Sequence, residues 1–123
     1  MKSFLFVFLG GGLGSGLRYL LTTAMNQYSK VLPFGTFTVN MLGCLFIGLI
    51  LGYVQKENSL TSNQTLLLAT GFCGGFTTFS AFANENLELI KNGEIFNFSV
   101  YTIGSVLIGI LAVFIGFYFS KNL

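Results

Sequence analysis

Apolar residues in this chain do not alternate with polar ones; they run in long blocks cut by short polar punctuation. Positions 3 to 29 hold one charge, Arg18, while 31 to 55, 58 to 84 and 95 to 120 hold none. A helix needs about 20 mostly apolar residues, at about 1.5 Å of rise each, to cross a hydrocarbon layer. Each block meets that length. The pattern therefore predicts four membrane-crossing helices over residues 3–24, 34–54, 62–89 and 96–119, joined by the polar stretches "NQYSKVLP", "QKENSLT" and "IKNGEI". Connections this short leave no second domain, so residues 1–123 read as one four-helix transmembrane unit. The stretch "SFLFVFL" after Lys2 imitates a secretory leader, but no A-x-A-like cleavage site follows it, and it reads as the start of the first helix.

Composition strengthens this picture. The 123 residues are 53% hydrophobic and 8% charged, against about 25% charge in soluble domains. The bilayer is the expected solvent. Histidine, tryptophan and aspartate are absent, which removes histidine acid–base chemistry, the Ser/His/Asp triad and most zinc sites. No nucleophile and base can be paired, so an enzyme is not expected. A net charge of +2 with scattered basic residues gives no stripe for nucleic acid. Cys44 and Cys73 lie in apolar runs rather than in a CxxC pair and read as small packing residues.

Charge also bears on orientation. With four crossings, Lys2, Lys56 and Lys121 share one side of the membrane, and Arg18, Lys30 and Lys91 share the other. Equal counts carry no positive-inside instruction. Such a chain is suited to insert both ways and pair antiparallel, making between two subunits the inverted repeat that many transporters hold within one chain.

Polar residues and helix breakers at membrane depth need a protein interior or a wet pathway. Helix one carries Gly10, Gly11, Gly12, Gly14 and Gly16, spaced for close helix approach. Arg18 ends that run, either snorkelling to the interface or raising the local anion concentration in a vestibule. Asn40 lies a third of the way into helix two, where its amide either glues helices together or donates to a dehydrated anion. Gly43, Gly48 and Gly52 beside it are packing positions.

Helix three carries the most information, in "TGFCGGFTTFSAFANE". Gly71, Gly74 and Gly75 followed by Thr77 and Thr78 weaken a helix and predict a break near 74–78, close to the midplane. Carbonyls released there can coordinate a hard cation, and the amides that open the second half-helix can face an anion. A packing kink is the plain alternative. Beyond the break, Phe79 and Phe82 lie on one helical face, and ring edges lining a narrow passage attract an anion weakly. Tyr101 and Ser105, four apart in helix four, could extend a donor track with Ser80 or serve as interhelical hydrogen bonds.

At these residues the chain resembles the Fluc (CrcB) family of fluoride channels, bacterial and archaeal inner-membrane proteins. "GGGLGSGLRY", "PFGTFTVNMLGCLFIG" and "TGFCGGFTTFSAF" followed by Glu85 carry the likeness, which covers essentially the whole chain. The resemblance implies an all-α fold assembled as an antiparallel, dual-topology dimer in membrane lipid, with two pores for passive fluoride efflux. It implies a structural sodium ion held by the backbone carbonyls of Gly74 and Thr77 of both subunits. It also places Asn40, Phe79 and Phe82 along the fluoride pathway, with Ser80, Tyr101 and Ser105 on a polar track and Arg18 near a vestibule. The partner is an identical chain or an oppositely inserted relative. Some relatives carry a second hydroxyl residue between the two phenylalanines, where Ala81 stands here.

The competing class is a proton-coupled exporter of small cations, similar to small multidrug transporters. That chemistry needs a titratable carboxylate at membrane depth; helix one has none, and Glu85 lies toward the far end of helix three. A purely structural membrane subunit would treat every polar mark as packing.

Overall fold

A computed structural model describes residues 1–28, 32–57 and 60–123. Lys30, one of the charges in the orientation count, lies outside the described residues. Helix α1 spans Lys2–Met25 and passes through a 3-10 turn, Asn26–Tyr28, toward α2 at Phe34–Glu57. Helix α3 covers residues 62–76 in three continuous stretches: an α-helical turn Ser62–Thr65, a π-helical stretch Leu66–Cys73 and a last α-turn Gly74–Phe76. The backbone then extends through Thr77 and Thr78 before α4, Phe79–Lys91, and α5, Ile95–Lys121.

Four segments are long and apolar enough to cross a membrane: Lys2–Met25, Phe34–Lys56, Ser62–Lys91 and Ile95–Lys121. The third is α3 and α4 together. Their ends overrun the predicted spans by up to a few residues, because charged residues such as Lys56, Lys91 and Lys121 continue the helical hydrogen bonding into the polar boundary. Local sequence sets the connections. Thr61 forms a capping box with Gln64, its Oγ1 accepting the Gln64 amide at 3.1 Å and its own amide donating to Gln64 Oε1 at 3.0 Å. Gly93, at φ 75°, supplies the left-handed residue that ends α4 and reverses the chain into α5.

Large apolar side chains cover the outside, among them Phe8, Leu13, Leu107, Leu111 and Phe119, while Phe76 and Val39 are the largest that are fully buried. That distribution suits a lipid solvent. Lipid tails provide no hydrophobic drive between helices, so association depends on close packing. Two glycine ridges provide it.

The first ridge joins α1 to α3, which run parallel. A Cβ on Gly10 would sit 2.2 Å from the Leu67 carbonyl oxygen, and one on Gly14 would sit 2.2 Å from that of Phe72. Gly71 and Gly75 answer from α3, where added Cβ atoms would meet the Val7 oxygen at 2.9 Å and the Gly11 oxygen at 2.4 Å. The second ridge joins α2 to α5, also parallel: Gly48 and Gly52 lie against the carbonyls of Val113 and Phe117, and Gly116 against that of Leu45. Gly12 and Gly16 have nothing within 4 Å of an added Cβ. The glycine run of helix one therefore packs through one face only, as 3.6-residue periodicity requires.

The break is narrower than the sequence suggests, and what precedes it differs. Gly74 and Gly75 are helical, and the extended residues are Thr77 and Thr78 alone. The π-helical stretch ahead of them has no counterpart in the predicted pattern. Substitution separates the two kinds of glycine. Gly14→Ala is expected to lower stability in detergent by about 1–3 kcal/mol through overpacking against backbone, whereas Gly16→Ala, with open space around it, holds or slightly raises the unfolding midpoint, as thermal denaturation would measure.

Candidate functional site

Two threonines make the break and one asparagine holds it. Thr77 (φ −86°, ψ 159°) and Thr78 (φ −150°, ψ 121°) take extended conformations, which suit β-branched residues. The amide of Thr78 would bond the Gly74 carbonyl in an unbroken helix; here it donates to Asn40 Oδ1 at 2.8 Å. Asn40 Nδ2 donates in return to the Thr78 carbonyl at 3.2 Å. One side chain on α2 thus satisfies both backbone groups of the residue at the gap.

The flanking ends are also tied. The amide and Oγ1 of Thr77 both donate to the Cys73 carbonyl, at 3.0 and 2.9 Å. Thr78 Oγ1 accepts the Ala81 amide at 3.2 Å, an N-cap for α4. The Gly75 carbonyl accepts from Arg18 Nε at 3.0 Å and from Ser15 Oγ at 3.4 Å, both on α1. Gly43 fits beside the break, because an added Cβ there would overlap Thr77 Cγ2 at 2.2 Å.

These bonds leave particular groups free of helical partners. The Gly74 carbonyl has lost the Thr78 amide. The Ala81 amide goes to the Thr78 hydroxyl, so it does not return to the Thr77 carbonyl. Both are neutral oxygens of the kind that hard cations take. The first amides of α4, those of Phe79 and Ser80, have no intrahelical acceptor and carry the positive end of the helix dipole. No cluster of three or more His, Cys, Asp or Glu residues occurs among the described residues.

A concavity of about 560 Å³ opens at this point. Asn40, Gly74, Thr77, Phe79, Phe82 and Ser105 all line it, so six of the nine residues singled out from the sequence share one cavity. Phe79 is 78% exposed, while Phe82 is buried and packs against Tyr101 with ring centroids 5.0 Å apart. The two phenylalanine rings are 5.7 Å apart at 46°, tilted rather than stacked. Ser105 Oγ is buried without a hydrogen-bond partner.

The other three candidates lie outside the cavity wall. Arg18 reaches the Gly75 carbonyl from α1. Ser80 Oγ lies 3.3 Å from Thr78 Oγ1. The Tyr101 hydroxyl donates to Glu85 Oε1 at 2.9 Å, and Thr36 Oγ1 donates to Glu85 Oε2 at 2.6 Å. Sequence reasoning passed over this Thr36–Glu85–Tyr101 set. The available signal was Glu85 itself, a carboxylate inside a membrane-crossing segment, which calls for partners from neighbouring helices.

Comparison with known proteins places the sequence among named relatives. The family described as "CrcB-like protein, Camphor Resistance (CrcB)" matches residues 5–117. A fluoride-specific ion channel FluC of Phocaeicola vulgatus is 48% identical over 98% of this chain and 100% of its own length. FluC proteins of Gloeothece citriformis, 48% identical over 99% of both chains, and of Flavobacterium psychrophilum, 44% identical over the full length of both, are similarly close.

Asn40→Ala would leave the amide and carbonyl of Thr78 without partners, at about 1–3 kcal/mol for each buried group. The expected result is a lower thermal midpoint together with faster hydrogen exchange at Thr78, measured on purified protein in detergent.

Proposed function

This chain belongs to the CrcB family, and we propose that it is a fluoride-selective channel letting fluoride leave the cytoplasm passively. The observation that carries the reading is the interrupted third span: Asn40 holds the gap open to a cavity rimmed by Phe79 and Phe82. Fluoride is small and strongly hydrated, so a selective passage replaces its water with placed donors. The remaining hydrogen of Asn40 Nδ2, the hydroxyl of Ser105 and the opening amides of α4 are such donors. Ring edges add weak attraction that permits release, since conduction fails if binding is too firm. Passive flow needs no ATP site, and no G-x-x-x-x-G-K-[ST] sequence occurs.

The working unit in this proposal is an antiparallel, dual-topology dimer in the cell membrane of a prokaryote. The partner is a second copy or a related chain. Three observations support it. Basic residues are balanced between the two sides. The cavity is open rather than closed by this chain, and the Phe79 ring projects from it. Gly74 has nothing within 4 Å of an added Cβ, so its backbone faces free space beside that cavity.

A structural sodium ion fits the same place. Gly74 and Thr77 offer carbonyl oxygens without helical partners, a neutral donor set suited to a hard monovalent cation. Two oxygens from one chain are too few to replace a hydration shell; two chains double the set. The ion would fix the interface and leave the conducting path to the anion.

Purified protein in liposomes is expected to release fluoride, followed with a fluoride electrode, and to retain chloride. Proton-driven uptake of a lipophilic cation without fluoride movement would favour an exporter instead. Phe79→Ile is expected to keep the dimer and stop fluoride release, because an aliphatic group has no positive edge. Replacing sodium with a bulky cation is expected to weaken the dimer, read by size-exclusion chromatography; indifference would remove the sodium.

A further inference from the structure

The geometry points to Arg18 as a positioning residue for the cation site: it fixes the Gly74–Gly75 backbone, and with it the Gly74 carbonyl at the cavity that Gly74 lines. This deepens the sodium reading above and rests on it. Adjacent glycines have no Cβ to restrict them, so their peptide planes turn more freely than those of other residues. The chain places such a pair at Gly74 and Gly75, where an ion-binding oxygen would have to be held still.

In an unbroken helix the Gly75 carbonyl would accept the Phe79 amide, and extension at Thr77 and Thr78 removes that bond. Arg18 Nε replaces it at 3.0 Å, and Ser15 Oγ adds a longer contact at 3.4 Å. The same side of Gly75 is pressed against α1, where an added Cβ would meet the Gly11 oxygen at 2.4 Å. Gly75 is therefore gripped from the α1 side by a charged donor and by contact. Gly74, one residue earlier, faces the cavity with nothing within 4 Å. Arg18 is not among the residues that line that cavity, so it grips Gly75 from behind the wall.

Electrostatics and positioning predict opposite signs. A guanidinium near a cation site repels the cation, so removing its charge alone would tighten sodium binding. Losing the grip on Gly75 would loosen it. The experiment is thermal unfolding of the full chain in detergent over a sodium chloride series, with N-methyl-D-glucamine chloride holding ionic strength constant. A general loss of stability lowers the midpoint at every sodium concentration but leaves the half-saturating concentration where it was, because ligand stabilisation depends on concentration relative to Kd.

Arg18→Met puts a methyl carbon where Nε donates and is expected to raise the half-saturating sodium concentration about tenfold, as loss of a charge-assisted hydrogen bond would. An unchanged or lower value overturns the inference. If Arg18→Met yields no folded protein, Arg18→Lys serves: it keeps the charge but puts carbon where Nε donates. A raised half-saturating concentration supports positioning there too, and an unchanged one overturns it. A wild-type midpoint indifferent to sodium removes the sodium reading and this inference with it. A sodium-dependent wild type with unshifted variants removes this inference alone.

Discussion

A backbone amide or carbonyl without a partner in hydrocarbon costs several kcal/mol, and the structure is organised around one place where the helical ladder is cut. Thr77 and Thr78 interrupt the third span, and side chains from two other helices take over the lost bonds. Asn40 on α2 serves both groups of Thr78. Arg18 and Ser15 on α1 serve the Gly75 carbonyl. Without those donors the span would be more stable as a continuous rod, and no oxygen or amide would be free to meet an ion.

Such substitution works only if the donor helices stand close and do not slide. Glycine ridges achieve this by letting backbones touch. Gly10 and Gly14 fix the height of α1 against Gly71 and Gly75, which brings Arg18 level with the Gly75 carbonyl. Gly48 and Gly52 fix α2 against α5. Gly43 gives room to Thr77 and keeps Asn40 opposite Thr78. Packing residues therefore set the positions of the polar groups at the break.

The cut also sorts polar groups into two kinds. Three sets turned toward neighbouring helices are satisfied within the chain: the backbone of Thr78, the Gly75 carbonyl, and the Glu85 carboxylate between Thr36 and Tyr101. Those near the cavity keep unused capacity: the Gly74 carbonyl, the first amides of α4 and the Ser105 hydroxyl. Phe79 and Phe82 stand at the boundary, one exposed and one buried against Tyr101.

Much of this is legible from order along the chain, because bilayer thickness turns apolar length into helices and glycine or threonine pairs weaken a helix locally. Four spans and a fault in the third follow from that alone; the grouping of Asn40 with Phe79 and Phe82 follows from the family resemblance. What the chain order could not contain is which distant group answers each broken bond. Asn40 and Thr78 are 38 residues apart, Arg18 and Gly75 57, and Thr36 and Glu85 49. Their pairing depends on the relative height and rotation of packed helices. The same cause separates the glycines: Gly14 and Gly16 are alike as letters, but only one faces a neighbour's backbone. Local pattern determined where helices form and where one fails; helix-to-helix contact decided which atoms the failure leaves free.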